Sequence, residues 1–328
     1  MIGGHFIGLD VGGTKVAVAT LVEGRLSDSV TEPTDTSGED ELVSQLAATI
    51  ERHRRSETNA VGIGVPSVIE FETGLVRHSV NLPLEDVPLR SLLTERIGLP
   101  VYVENDASCA ALAEAYDEGE LVSPHLVMFT VGTGVGGGLV LGGRLYRGAT
   151  GAAAEVGHTI IGLDLEHGDA ADPGPFPQRG SLEALASGRA LDRLAAQAAA
   201  EHPESPLGRR LNAGETINGH VVVDLAHDGD ELACDLLRIL GERLGIGIAN
   251  AINMFDPLEI VIGGGVSRAG NLLLDPAARA AWRHTVPGCG TKTNIRLARH
   301  GVQAGVLGAA LLAAHEWAAE HESVPGPP

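Results

Sequence analysis

FIGLDVGGTKVAVATLVEGRL, residues 6–26, reads as a strand, a glycine turn at Gly12-Gly13, a second strand from Val16 to Leu21 and a hairpin turn at Glu23-Gly24. Residues 127–145, VMFTVGTGVGGGLVLGGRL, repeat that plan with a glycine loop from Gly132 to Gly137, a strand from Gly138 to Leu141 and a turn at Gly142-Gly143. Even the exits agree, Gly24-Arg25-Leu26 beside Gly143-Arg144-Leu145. Each half of the chain thus opens with a β-meander whose first turn carries almost no side chain. Outward from these hairpins, apolar spacing predicts helices over 40–54, 89–97, 182–200, 231–254 and 304–319, and buried strands over 61–65, 101–103 and 259–262. Strands alternating with helices define an α/β class with a mixed or parallel sheet covered by helices. Residues 162–179, polar and rich in Pro and Gly, read as an irregular loop.

At 328 residues the chain has room for two domains, given about 100–200 residues per domain. A formal charge of −20 and no basic run argue against a nucleic-acid binder, because phosphate backbones need clustered Lys and Arg. Lys15 and Lys292 are the only lysines, so arginine carries nearly all the positive charge. Cys109, Cys234 and Cys289 match no metal or redox spacing and read as buried thiols of a reducing compartment. With no basic leader and no apolar run of about 20 residues, the expectation is an unprocessed cytoplasmic protein without a membrane span. The tail 321–328, HESVPGPP, is expected to be disordered.

Gly132-Thr133-Gly134-Val135-Gly136-Gly137 fits the dinucleotide pattern GxGxxG, yet LVLGGRLY continues as strand and hairpin. That fingerprint needs a helix after the loop, so that pyrophosphate sits on the helix N-terminus. A G-x-x-x-x-G-K-[ST] loop is absent as well. What remains is a β-turn cradle, in which backbone N–H groups of Gly12, Gly13, Thr14 and Lys15, and of Gly132, Thr133 and Gly134, take a polyphosphate. Either loop alone reads equally as a tight hairpin. Two matched loops, with Asp10 and a third glycine turn at Gly263-Gly264-Gly265, favour the polyphosphate cradle over two unrelated hairpins. The carboxylate-bearing corner is Val101–Tyr116, VYVENDASCAALAEAY, a strand that turns at Asn105-Asp106 into a small-residue helix. Asp106 there is either a helix cap or a chemical group, since Asn and Asp are both strong helix starters.

DVGGTK at 10–15, ENDA at 104–107, GTGVGGG at 132–138, E-x-G-H at 155–158, LEALASGRAL at 182–191 and IVIGGG at 260–265 together resemble, in order, the ROK family of sugar kinases. The resemblance implies the duplicated actin-like ATPase (ribonuclease H-like) fold, with a nucleotide and sugar cleft between two domains. It places an N-terminal domain at 1–118 plus 304–320 and a larger one at 119–303. It further implies ATP and Mg²⁺, with Asp10 holding Mg²⁺ through water, the glycine loops on the phosphates, and Gly264 and Gly265 supporting the adenosine. Asn81, Asn105, Asp106, Glu155, His158 and Glu183 would contact the sugar. Asp106 would take the proton of the attacking hydroxyl. A homodimer or homotetramer is expected. His158 and Lys15 also have plain structural readings, as a core histidine and a surface charge.

The chain departs from the family pattern at the zinc segment. Its three cysteines are replaced by Gly174, Phe176 and Ser181, so no zinc is expected, and His158 is freed for a sugar hydroxyl. Asp164, His167, Asp169 and Asp172 form the one acidic group that could rebuild a site; Pro173, Pro175 and Pro177 stiffen the loop. Ser67 replaces a glycine of the family's GxPG turn, and Gln303 replaces an aspartate. The leading expectation is phosphorylation of glucose to glucose 6-phosphate. The alternatives are a kinase for an amino sugar, N-acylhexosamine, fructose or cyclitol, a polyphosphate donor, or a non-catalytic sugar sensor. The sensor reading predicts an added DNA-binding helix-turn-helix, whereas the first strand here begins by Phe6.

Overall fold

The computed structural model describes residues 2–79, 81–163 and 174–321. The chain divides into two compact units, one of residues 1–125, 138–154 and 300–328, the other of residues 126–137 and 155–299. The turns and strands of 138–154, which the resemblance assigns to the second domain, therefore group with the first unit.

In the first unit the strands are β1 (His5–Val11), β2 (Lys15–Val22), β3 (Arg25–Leu26), β4 (Val30–Pro33), β5 (Thr58–Val65), β6 (Ser67–Glu70), β7 (Leu75–Ser79), β8 (Glu85–Val87) and β9 (Val101–Asn105). Helices α1 (Glu39–His53), α2 (Leu89–Ile97) and α3 (Asp106–Glu114) are interleaved with them. After α3 come the short strands β10 (Tyr116–Asp117) and β11 (Glu120–Leu121), then β12 (His125–Val131), β13 (Val135–Leu141) and β14 (Arg144–Leu145). The first sheet runs β3-β2-β1-β5-β9, with β4 also on β2. Strands β1, β5 and β9 are parallel, and their register sets Asp10, Gly64 and Glu104 side by side.

The pleat sorts β1 into two faces. Ile7, Leu9 and Val11 join Leu42, Leu46 and Ile50 of α1 in the main apolar cluster. Gly8 faces the other way, toward the final helix α10 (Ala304–His321). A Cβ on Gly8 would lie 2.2 Å from the Val306 carbonyl oxygen, one on Gly62 would lie 1.8 Å from that of Ala309, and one on Gly308 would lie 1.7 Å from that of Cys109. Helix α10 thus rests backbone to backbone on the sheet and on α3, which only glycine permits at these crossings.

The second unit continues with α4 (Leu182–Ala186), α5 (Gly188–Glu201), α6 (Pro206–Asn212), α7 (Gly219–His227), α8 (Glu231–Phe255), β15 (Glu259–Gly263), α9 (Asn271–His284) and β16 (Asn294–Leu297). The second sheet runs β14-β13-β12-β15-β16, with β12, β15 and β16 parallel. The periodicity predicts one helix over 182–200, but the structure breaks it at Ser187. That residue is extended, and its hydroxyl accepts the Ala190 N–H at 3.2 Å to start α5. Of the three cysteines, Cys109 is buried, whereas Cys234 and Cys289 are half-buried. Helix α10 runs to His321; the rest of the tail lies outside the described residues. No helix among the described residues is long and apolar enough to cross a membrane.

Candidate active site

Asp10 is the half-buried residue near the end of β1, on the face that meets the start of α10, where a Cβ on Gly305 would come within 2.4 Å of its carboxylate. Asp106 is the first residue of α3, beyond the end of β9. Both acids therefore stand at the carboxyl ends of parallel strands, where open α/β sheets take their ligands. Asn105, not Asp106, is the cap: its Oδ1 accepts the Ser108 N–H at 3.1 Å, and its Nδ2 donates to the Ser67 carbonyl at 3.2 Å. Asp106 Oδ1 accepts the adjacent Ala107 N–H at 2.8 Å. Burial raises the Asp106 pKa, against the pull of its backbone hydrogen bonds. Burial and then the neighbouring Asp106 charge push Asp10 up to about 6, with Lys15 opposing. Ser67, which replaces the family glycine, donates its hydroxyl to the His78 carbonyl.

The two glycine turns offer fewer free donors than their sequences suggest. Gly12 N–H donates to the Lys15 carbonyl at 2.9 Å, and Gly132 N–H to that of Gly134 at 2.9 Å, so each closes its own turn. Among the described residues, no turn or loop hydrogen bond engages the N–H of Gly13, Thr14, Thr133 or Gly134. Thr34 Oγ1 braces the first turn at the Gly12 carbonyl, 2.6 Å away. Asn81, exposed, packs on that turn so closely that a Cβ on Gly13 would lie 2.7 Å from its own Cβ. Lys15 is exposed.

In the second unit, the Gly132 carbonyl accepts the Gly188 N–H at 2.7 Å, which pins the loop to the start of α5. Glu183 Oε2 accepts the Val135 N–H at 2.8 Å and lies against Gly134. A cavity of about 420 Å³ beside the loop is lined by Thr133, Gly188, Asp192, Asn218, Gly265 and Val266, among others. Gly264 has φ +86°, and a Cβ there would meet the Val131 carbonyl oxygen at 2.5 Å, so this position demands glycine. His158 is half-buried with Nε2 3.7 Å from Glu155 Oε2, and Glu155 is exposed. The His158 Nδ1 is buried and has no partner among the described residues, and the ring packs edge-on to Phe176 with centroids 5.2 Å apart.

The residues at the zinc segment do not fit that metal. Ser181 spends its hydroxyl on capping α4, at 3.2 Å from the Ala184 N–H, and Gly174 and Phe176 bring no ligating side chain. Asp164, His167, Asp169, Asp172 and Pro173 lie outside the described residues. Thr34, Gly305, Gly188, Asp192 and Asn218 were not legible as site residues. Only the Ser187-Gly188 pair carried a local signal, as a helix start inside an apolar-periodic run.

A strand-turn-strand hairpin with a glycine tip, opening a parallel-centred sheet in each half, defines the duplicated actin-like α/β fold. The chain belongs to the ROK family, whose family model matches residues 6–316. It is 34% identical over 311 residues to a glucokinase of Halalkalibacterium halodurans, covering 92% of this chain and 93% of that one. It is 32% identical to an N-acetyl-D-glucosamine kinase of Haemophilus influenzae, over 94% of this chain and 98% of the relative. Among solved structures it resembles a ROK family glucokinase from Streptomyces griseus in complex with glucose and AMPPNP, at 33% identity and a TM-score of 0.76, covering 95% of this chain and all of the other.

Proposed function

We propose that the protein transfers the γ-phosphoryl group of ATP to a hexose hydroxyl, glucose being the foremost acceptor and glucose 6-phosphate the product. The observation that carries this is the division of labour at the corner: Asn105 caps α3, which leaves the Asp106 carboxylate for chemistry. In the reaction, the sugar hydroxyl gives its proton to Asp106 as its oxygen bonds to the γ-phosphorus. The bond from that phosphorus to the β–γ bridging oxygen breaks, and ADP leaves. A carboxylate raised toward neutrality by burial is better matched to taking a hydroxyl proton than one in bulk water.

Asp10 fits a divalent cation: desolvation and the neighbouring Asp106 charge both disfavour its ionised form, and a bound cation would offset both. Mg²⁺, when bound, would neutralise charge on the transferring phosphate. Gly13 and Thr14 at the first glycine turn, and Thr133 and Gly134 at the second, each supply backbone N–H groups for phosphate oxygens. Gly264 and Gly265 leave room for adenosine. Asn81, Glu155, His158 and Glu183 are the sugar contacts, with Asn105 keeping one amide hydrogen and one lone pair of its Oδ1. The protein contributes positioning and electrostatics rather than covalent chemistry.

An N-acylhexosamine acceptor is the second reading, favoured by the kinship to the Haemophilus influenzae enzyme. A panel of glucose, N-acetylglucosamine, N-acetylmannosamine, fructose and inositol with Mg-ATP, followed by coupled ADP release, separates the two. The proposal requires the highest kcat/KM with glucose; preference for an N-acyl sugar moves the assignment to the second reading. Substituting polyphosphate for ATP in the same panel tests the donor.

A further inference from the structure

Glu104 is the buried charge of β9, 1% exposed between Val103 and the Asn105-Asp106 corner. A buried carboxylate is tolerated only with partners, and this one has two of different kind. Its Oε1 accepts the N–H of Asn105 at 2.9 Å, and its Oε2 accepts Nε of Arg147 at 2.6 Å. The far end of Arg147 donates to Glu316 on α10 at 2.8 Å, and the guanidinium lies 3.4 Å from the Phe71 ring centroid. Planar, forked and stacked, the arginine has little freedom, so it holds the Glu104 carboxylate in one orientation. That carboxylate holds the peptide of Asn105. Asn105 then takes the extended backbone, φ −64° and ψ 141°, that a cap requires, and its amide ties Ser108 and Ser67 together. Asp106 follows directly.

We propose that Glu104, clamped by Arg147 and Glu316, is a positioning residue that fixes the direction in which Asp106 presents its carboxylate. This rests on the reading of Asp106 as the base. An ion pair kept only for stability is a poor use of a buried site, since apolar replacements of such pairs are often neutral or better. Positioning gives the cluster a reason that stability does not, and the two are separable by measurement.

The test uses the full chain with Glu104→Gln, Arg147→Met, both together, and Glu316→Gln. Glu104→Gln keeps the shape but turns an amide toward the guanidinium. It is expected to lower kcat by roughly tenfold to a hundredfold, the scale of a misplaced catalytic group, while KM for ATP stays within about twofold. Amide exchange at Asn105 and Ser108, followed by NMR, should quicken in the same variant. Arg147→Met should behave alike, and the double variant should be no worse than the worse single, because the groups act as one unit. If a buried variant does not fold, Glu316→Gln, at the half-exposed end of the cluster, should show a milder loss of kcat with the same exchange signature. A drop in Tm with kcat per folded molecule and exchange at Asn105 both at wild-type values overturns the proposal. Absence of any phosphoryl transfer by the wild type sinks the kinase reading instead, and the exchange measurement still judges the positioning role.

Discussion

Asn105 caps helix α3 through the Ser108 N–H at 3.1 Å, and Asp106, the next residue, is thereby relieved of that task. The pair divides what either residue type could do alone. A cap is worth about 1 kcal/mol, whereas a general base is worth a factor of about 10² to 10⁴ in rate. Asn105→Ala should therefore cost stability of about 1 kcal/mol, and Asp106→Asn should leave Tm nearly unchanged while kcat falls at least about 10²-fold. Differential scanning fluorimetry and steady-state kinetics on both variants check this. Reversed outcomes would return Asp106 to the role of a cap.

The state of Asp10 gives a pH prediction. Its carboxyl is pushed from 3.8 up to about 6 in the folded chain, so between those values the native state holds more protons than the unfolded one. Stability therefore falls as pH rises through that window, by about 3 kcal/mol once Asp10 is fully ionised. Asp10→Asn should abolish activity yet raise Tm at pH 7.5, with little gain at pH 4. Added Mg²⁺ should raise the Tm of the wild type at pH 7.5 and not that of Asp10→Asn. Equal melting shifts at both pH values would show that Asp10 carries no raised pKa.

Glu183 touches the second glycine loop and is also one of the proposed sugar contacts. Removing its carboxylate strips the Val135 N–H of its acceptor at 2.8 Å. Glu183→Ala should raise KM for ATP by roughly tenfold, the cost of about one charge-assisted hydrogen bond, together with KM for the sugar. A change confined to the sugar would mean that the loop holds its shape without Glu183.

The glycine crossings of α10 are a stability matter. Gly62→Ala brings a methyl to 1.8 Å from the Ala309 carbonyl oxygen, which must push the helix off the sheet. The expected loss is about 3 kcal/mol, at the upper end of overpacking costs, read by urea denaturation. A wild-type midpoint in this variant would mean that α10 packs further from β5.

Zinc should be absent. Elemental analysis of protein purified without chelator is expected to give far less than one zinc per chain, and zinc chelators should leave turnover intact with Mg²⁺ in excess. The reason is chemical: Ser181 is spent as a helix cap, and Gly174 and Phe176 have no donor atoms in their side chains. Stoichiometric zinc lost together with activity would point to a site rebuilt from Asp164, His167, Asp169 and Asp172.

What the sequence discloses is what is local. The doubled hairpins, the corner at Asn105-Asp106 and the final helix follow from alternation, turn residues and apolar spacing within about twenty residues. The strands β6, β7 and β8 carry no such signal, because Arg77, His78, Glu85 and Asp86 interrupt alternation and pairing alone makes them a sheet. The grouping of 138–154 with the first unit and the Glu104–Arg147–Glu316 chain depend on contacts 43 and 169 residues apart. Glu104 did carry a hint, as a lone charge in an apolar strand. Which N–H groups of the glycine turns remain free could not be read in advance either, since Gly12 and Gly132 are consumed by the turns' own geometry.

The most direct test of the central claim is to incubate wild type and Asp106→Asn side by side with glucose and Mg-ATP and to identify the product by ³¹P NMR and mass spectrometry. The account predicts glucose 6-phosphate and equimolar ADP from the wild type, and at least about 10²-fold less of both per unit time from the variant. Equal product from the two proteins, or ADP release without a sugar phosphate, would contradict it.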